Sequence, residues 1–319
     1  MTSCWIITEG IAGTENQCLG VAEALGVIPV IKRINLRQPW KTLSPYLACE
    51  QSWSFTGDPL CPPWPDLVIA SGRKAIAASR YIKKQSIGQT FTVQIQDPRI
   101  TMAGCDLIAV PAHDNRTGEN VLVTDATPNR ITSEKLEEAR HDFEDMFKTL
   151  PSPRVAVLIG GKSKVYDLTE SNMATITKAM DNLDAQGYGL MVTASRRTGE
   201  SNLHKLKDTL SRTKAFLWDG EGTNPYFGML AWADYIMVTA DSASMISEAA
   251  TTGKPVYVIN LEGGSDKFTR FHQNLLDKGI VRRFEGTLMP YSYPPLRDAA
   301  LVAEAIRSKM GKMGKGHLK

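Results

Sequence analysis

Short apolar runs rich in Ile and Val alternate with helical stretches from one end of this chain to the other. A run that short, without polar alternation, reads as a strand buried on both faces. Such strands separated by helices build parallel α/β sheets. In the first half the expected strands are 4–8, 29–34, 67–71, 91–95 and 106–110. Between the first two, Cys18, Leu19, Ala22 and Leu25 recur at helical spacing, and Gly26 can stop a helix over 15–26. Residues 133–150 read as an amphipathic helix, with Leu136, Ala139, Phe143, Met146 and Phe147 on one side. Pro151-Ser152-Pro153 then breaks it, and the expected domain boundary lies there. The second half repeats the grammar, with strands 155–159, 189–194, 215–218, 235–239 and 255–260 separated by helices. The expected organisation is an α/β chain of two Rossmann-like domains facing across a cleft. The first covers 1–150 and the second 151–297, and a helix in 298–319 crosses back towards the first domain ahead of a basic tail.

Composition narrows the function. A formal net charge of +3 over 319 residues is too near neutral for a polyanion binder, which removes nucleic acid as a partner. Cys4, Cys18, Cys49, Cys61 and Cys105 are odd in number and scattered, which indicates neither a disulfide framework nor a zinc site. No apolar run reaches the roughly 18–20 residues of a membrane span, and Met1–Gly10 lacks a basic n-region. The expectation is a cytoplasmic protein. From Arg307 to Lys319 the chain is basic without an acidic residue. Such a tail can touch anionic lipid at the inner face of a membrane, but Gly311, Gly314 and Gly316 argue against a stable anchor.

The candidate motifs follow strands, where open α/β sheets bind ligands. Gly10 and Gly13 in Thr8-Glu9-Gly10-Ile11-Ala12-Gly13-Thr14-Glu15 permit close backbone approach to a ligand, although no third glycine completes a dinucleotide fingerprint. Gly160-Gly161-Lys162-Ser163 contains the G-K-S of a P-loop, yet Ala156 stands where the first glycine belongs, so an ATPase loop is excluded. The turn can still contact a phosphate, as can Ser195, Arg196 and Arg197, whose guanidinium donors match phosphate oxygens. At 239–256 a strand runs into Asp241-Ser242-Ala243-Ser244, and a helix then ends at Gly253 and Pro255. Free N–H groups with Ser242 and Ser244 suit an anion, and Glu248, one turn on, suits a ribose diol. A plain helix start needs one capping serine, not several with a Glu.

The segment TADSASMISEAATTGKPVYV resembles the nucleotide-binding segment of GT-B glycosyltransferases. The bacterial enzyme that adds N-acetylglucosamine to the lipid-linked peptidoglycan precursor is an analogue. Over nearly its full length, including EGIAGTENQCLGVAEALG, QIQDPR, IGGKSK and TASRRTGE, the chain is similar to a family of mitochondrial fission factors. That family, of the elongated-mitochondria phenotype, spans plants and alphaproteobacteria. The resemblance implies a GT-B fold and a nucleotide-sugar donor, with Ser242 and Ser244 on the diphosphate and Glu248 on the ribose. It leaves a lipid-linked or membrane glycan open as acceptor.

The peptidoglycan enzyme's first glycine loop carries a histidine that this loop lacks. An inverting transferase needs a base for the acceptor hydroxyl, and Glu15 is the first candidate, with Glu9 and His113 as substitutes. Asp97 and Arg99 follow another strand and join Gly10, Gly13 and Thr14 on the expected acceptor side. No Asp-x-Asp occurs, which removes the usual carboxylate pair for a divalent ion, so the expectation is no metal and no cofactor. The leaving diphosphate then falls to the helix start, Lys162 and Arg196 or Arg197. The sequence thus points to a metal-independent inverting glycosyltransferase. A non-catalytic GT-B scaffold recruiting partners at a membrane is the alternative, and a nucleotide-sugar epimerase shares the fold.

Overall fold

In the strands Cys4–Thr8, Leu67–Ser71, Phe91–Ile95 and Leu107–Pro111 every residue is buried. That burial requires cover on both faces, and helices supply it. The computed structural model describes residues 2–100 and 104–312. It divides into two compact units: residues up to Arg130 with those from Arg297 on, and Ile131–Leu296. Part of the basic tail, Lys315 and Lys319 included, lies outside the described residues.

The first unit holds a seven-stranded sheet in the order Phe55–Gly57, Pro29–Leu36, Cys4–Thr8, Leu67–Ser71, Phe91–Ile95, Leu107–Pro111, Val121–Thr124. All neighbours are parallel except the short edge strand Phe55–Gly57. Strand order reverses between Cys4–Thr8 and Leu67–Ser71. The helix Asp298–Lys312 belongs here. Its Val302, Ala303, Ile306 and Met310 are buried with Cys18, Val21 and Ala22 of the helix Ala12–Ala24. At its start the Asp298 carboxylate accepts from the backbone N–H groups of Asp125 and Ala126, both at 3.0 Å.

The second unit holds a six-stranded parallel sheet: Phe216–Trp218, Gly189–Ala194, Arg154–Ile159, Tyr235–Thr239, Val256–Ile259, Val281–Arg283. In chain order this is 3-2-1-4-5-6, the doubly wound Rossmann arrangement, with its switch point between Arg154–Ile159 and Tyr235–Thr239.

The boundary differs from the expected 150/151. The 133–150 helix is two pieces, Ser133–Asp142 and Glu144–Phe147, and both lie in the second unit. Ser133–Asp142 packs on the helix Tyr226–Trp232, Phe147 of the second piece meets the Phe216 ring edge-on at 5.2 Å, and Met146, expected on the apolar side, is exposed. A Cβ on Gly228 would stand 2.6 Å from the Phe143 ring, and Trp232 Nε1 donates to the Arg140 carbonyl at 2.8 Å. Pro151–Pro153 is therefore only the turn into a strand. Among the described residues no helix is long and apolar enough to cross a membrane.

Candidate functional site

At the switch point of the second unit, three strand ends lock together around one carboxylate. Asp241 has a fully buried side chain. Its Oδ2 accepts from Gly161 N at 3.0 Å and from Arg197 Nη1 at 2.8 Å, and its Oδ1 accepts from Thr239 Oγ1 at 2.7 Å. Thr239 Oγ1 in turn accepts from Gly160 N at 2.8 Å. Only glycine fits the loop. A Cβ on Gly160 would meet Asp241 Oδ2 at 2.2 Å, and one on Gly161 would meet the Arg197 carbonyl oxygen at 2.0 Å. Ser195 Oγ and Thr198 Oγ1 both donate to the Gly160 carbonyl. The hydroxyls beside the arginines thus hold the turn. Arg196 is exposed and, among the described residues, unpaired.

Next to this bracket starts the helix Ala243–Thr251. Ser242 caps it, its Oγ accepting from Met245 N at 3.4 Å. Ser244, half-buried in the first turn, makes no side-chain hydrogen bond among the described residues. One turn on, Glu248 Oε2 accepts from the Tyr226 phenol at 2.6 Å. Burial pushes the Glu248 carboxyl up to about 7, and the phenol's hydrogen bond pulls the other way. Burial and then the Glu248 charge push the Tyr226 phenol well above its usual value.

Lys162 and Ser163 are less committed to this site. Lys162 Nζ pairs with Asp167 at 3.0 Å on the surface. Ser163 Oγ accepts from Tyr166 N at 3.0 Å and from Val165 N at 3.3 Å, which closes a turn.

In the first unit the expected acceptor-side residues are scattered over several roles. Gly10 turns the chain at φ +80°, donating to Thr8 Oγ1 at 3.1 Å. Gly13 and Thr14 are already inside the helix Ala12–Ala24 rather than in a loop, because that helix starts before the expected Glu15. Glu15 is held at both oxygens by Arg33, at 2.7 and 3.1 Å. Glu9 pairs with Lys74 at 2.9 Å at this sheet's own switch point. On the next two strands of the sheet, Ser71 Oγ and Gln94 Oε1 are buried without a hydrogen-bond partner among the described residues. His113 is buried in the short turn Ala112–Asp114, and its Nε2 stands 3.8 Å from Asp114, beyond hydrogen-bond length. Asp97 accepts from Arg99 N at 3.0 Å and from Arg116 Nη1 at 2.8 Å, while Arg99 sits exposed at φ +59°.

Sequence reasoning missed Tyr226 and Lys74 and read Asp241 as a capping type. The pairing of Asp241 with Gly160 and Gly161 spans some 80 residues, and no local signal carries it.

Two doubly wound α/β units, each with a sheet switch point fitted with polar groups, define a GT-B-type protein. The UDP-GlcNAc 2-epimerase of Methanocaldococcus jannaschii, solved in complex with UDP-GlcNAc and UDP, has this fold. It matches with a TM-score of 0.53 at 12% identity, covering 97% of this chain and 99% of that one. The chain belongs to the Mitochondrial fission ELM1 family, whose profile matches residues 12–310. The Arabidopsis thaliana mitochondrial fission protein ELM1 is 31% identical over 277 residues, 78% of this chain. The match spans 65% of that relative's own length. An uncharacterized protein of Rickettsia prowazekii is 29% identical over 285 residues, 76% of this chain and 79% of its own.

Proposed function

We propose that the second unit binds a nucleoside-diphosphate sugar at its switch point and that the chain is a metal-independent, inverting glycosyltransferase. The observation that carries this reading is the helix start at Ser242. N–H groups and a Ser244 hydroxyl that are unused among the described residues lie one turn from the Glu248 carboxyl, at the place where doubly wound sheets take ligands. The diphosphate lies on the helix start with Arg196 reaching it, and the ribose diol donates to Glu248, whose Oε1 is free of hydrogen bonds among the described residues. Negative charge developing on the leaving diphosphate is met by these fixed donors, which supply what a divalent ion would otherwise supply.

Of the three candidate bases, Glu9 is the one set at the first sheet's switch point, and we assign it the proton of the acceptor hydroxyl. The non-catalytic scaffold remains the second reading, on one observation: Glu15 and Glu9 are both in ion pairs and His113 is buried. The test is release of nucleoside diphosphate from a panel of nucleotide sugars, with and without a membrane glycan fraction. The transferase reading predicts turnover that Glu9→Gln reduces at least 100-fold without loss of donor affinity. Binding without turnover establishes the scaffold instead.

A further inference from the structure

A cavity of about 340 Å³ opens at the ends of the strands Tyr235–Thr239, Val256–Ile259 and Val281–Arg283. It adjoins the proposed nucleotide grip. Ala240, in the turn before Ser242, lines it, and so does Tyr166, whose phenol is raised by burial and by the Asp241 charge. The polar lining is Asn260, Thr269, His272, Gln273 and Arg283, and no Asp or Glu is among the lining residues.

Two of these groups keep hydrogen-bonding capacity that is unused among the described residues. The His272 ring hydrogen-bonds to the Ala240 backbone, while its Nε2 is buried with no hydrogen-bond partner among the described residues. Burial holds the ring below its usual pKa, and the Arg283 charge adds to that. In the neutral ring the nitrogen bonded to the carbonyl carries the proton, so Nε2 is an acceptor. Arg283 is exposed at the mouth of the cavity and makes no ion pair or side-chain hydrogen bond among the described residues, so its guanidinium is solvated and available to an anionic ligand. A guanidinium has donors only, and its fork fits a carboxylate. Asn260, Thr269 and Gln273 can serve the hydroxyls of a sugar, and no carboxylate among the lining residues repels an anionic group beside Arg283.

We propose that this cavity is the sugar subsite of the nucleotide grip and selects an acidic sugar, a hexuronosyl group. Its carboxylate pairs with Arg283, and one of its hydroxyls donates to His272 Nε2. The assignment rests on the nucleotide-sugar reading above. The test titrates the full chain with UDP, UDP-glucose and UDP-glucuronate, and with GDP, GDP-mannose and GDP-mannuronate. The uronate conjugate of the accepted nucleotide should bind at least 10-fold tighter than its neutral counterpart. Arg283→Gln and Arg283→Met should each erase that difference while leaving the plain nucleoside diphosphate unaffected. Equal binding of neutral and acidic sugars overturns the subsite. An equal loss for the plain diphosphate also overturns it, by making Arg283 a phosphate ligand. Failure of every nucleoside diphosphate to bind overturns the nucleotide-sugar reading itself, and this assignment with it.

Discussion

Removing the Asp241 carboxylate should unfasten the strand ends that position the site, and the structure sets the magnitude. In Asp241→Ala the buried Gly161 N–H loses its acceptor. Thr239, itself 0% exposed, loses the acceptor of its hydroxyl proton, and that proton cannot turn back because the oxygen already accepts from Gly160 N. Each orphaned buried donor costs about 1–3 kcal/mol. Arg197 is 41% exposed, so water takes over its guanidinium and the lost ion pair adds under ~1 kcal/mol. The sum is about 4 kcal/mol, and at about 2–4 °C per kcal/mol the second unit should melt about 8–16 °C earlier. Asp241→Asn keeps an acceptor for Thr239 but turns an N–H group towards Gly161 and Arg197, and should lose about 2 kcal/mol. Urea unfolding of the three proteins measures both values. If Asp241→Ala stays within about 1 kcal/mol of the parent, the carboxylate does not hold the bracket and the reasoning fails.

Three further outcomes are expected, two at the Glu248–Tyr226 pair and one in the first unit. Glu248 is raised from 4.5 to about 7 by burial, so between those pH values the folded state keeps a proton that the unfolded state has released. Stability should therefore fall by ~3 kcal/mol as pH rises through that window, and Glu248→Gln should flatten the profile. Tyr226→Phe removes the hydrogen bond that opposes the shift and should extend the fall to higher pH; a profile unchanged in both variants would refute the assignment. Ile306→Ala, at a fully buried position, should cost about 2–5 kcal/mol and speed amide exchange in Cys4–Thr8 and Ala12–Ala24 but not in Arg154–Ile159. Equal acceleration in all three would count against placing that helix with the first unit.

The central strands were readable because each is a short apolar run buried on both faces, and chain order then gave parallel sheets. The helix start at Ser242 was readable because capping is local, the Ser242 hydroxyl accepting from Met245 N three residues on. The domain boundary was not readable. What assigns Ser133–Asp142 is the packing of Phe143 and Arg140 on Gly228 and Trp232, some 90 residues away. Glu15 looked free in sequence, yet Arg33 lies beside it only because the strand Pro29–Leu36 pairs with Cys4–Thr8. The helix Asp266–Asp277, which brings His272 to the cavity, carries Phe268, Phe271, Leu275 and Leu276 at helical spacing, so the helix was legible, but nothing local places His272 against Ala240, which comes from a strand end some 30 residues earlier.

The most direct test of the nucleotide grip is calorimetric titration of the full chain and of Ser244→Asp with UDP, GDP, CDP, ADP and dTDP. A carboxylate in the first turn is compatible with the helix dipole, so this variant should melt no lower than the parent. The account predicts that one nucleoside diphosphate binds the parent and that Ser244→Asp weakens it at least 10-fold, because two negative groups then compete for the same N–H donors. Binding that survives unchanged in Ser244→Asp, or no binding to the folded parent by any of the five, would contradict it.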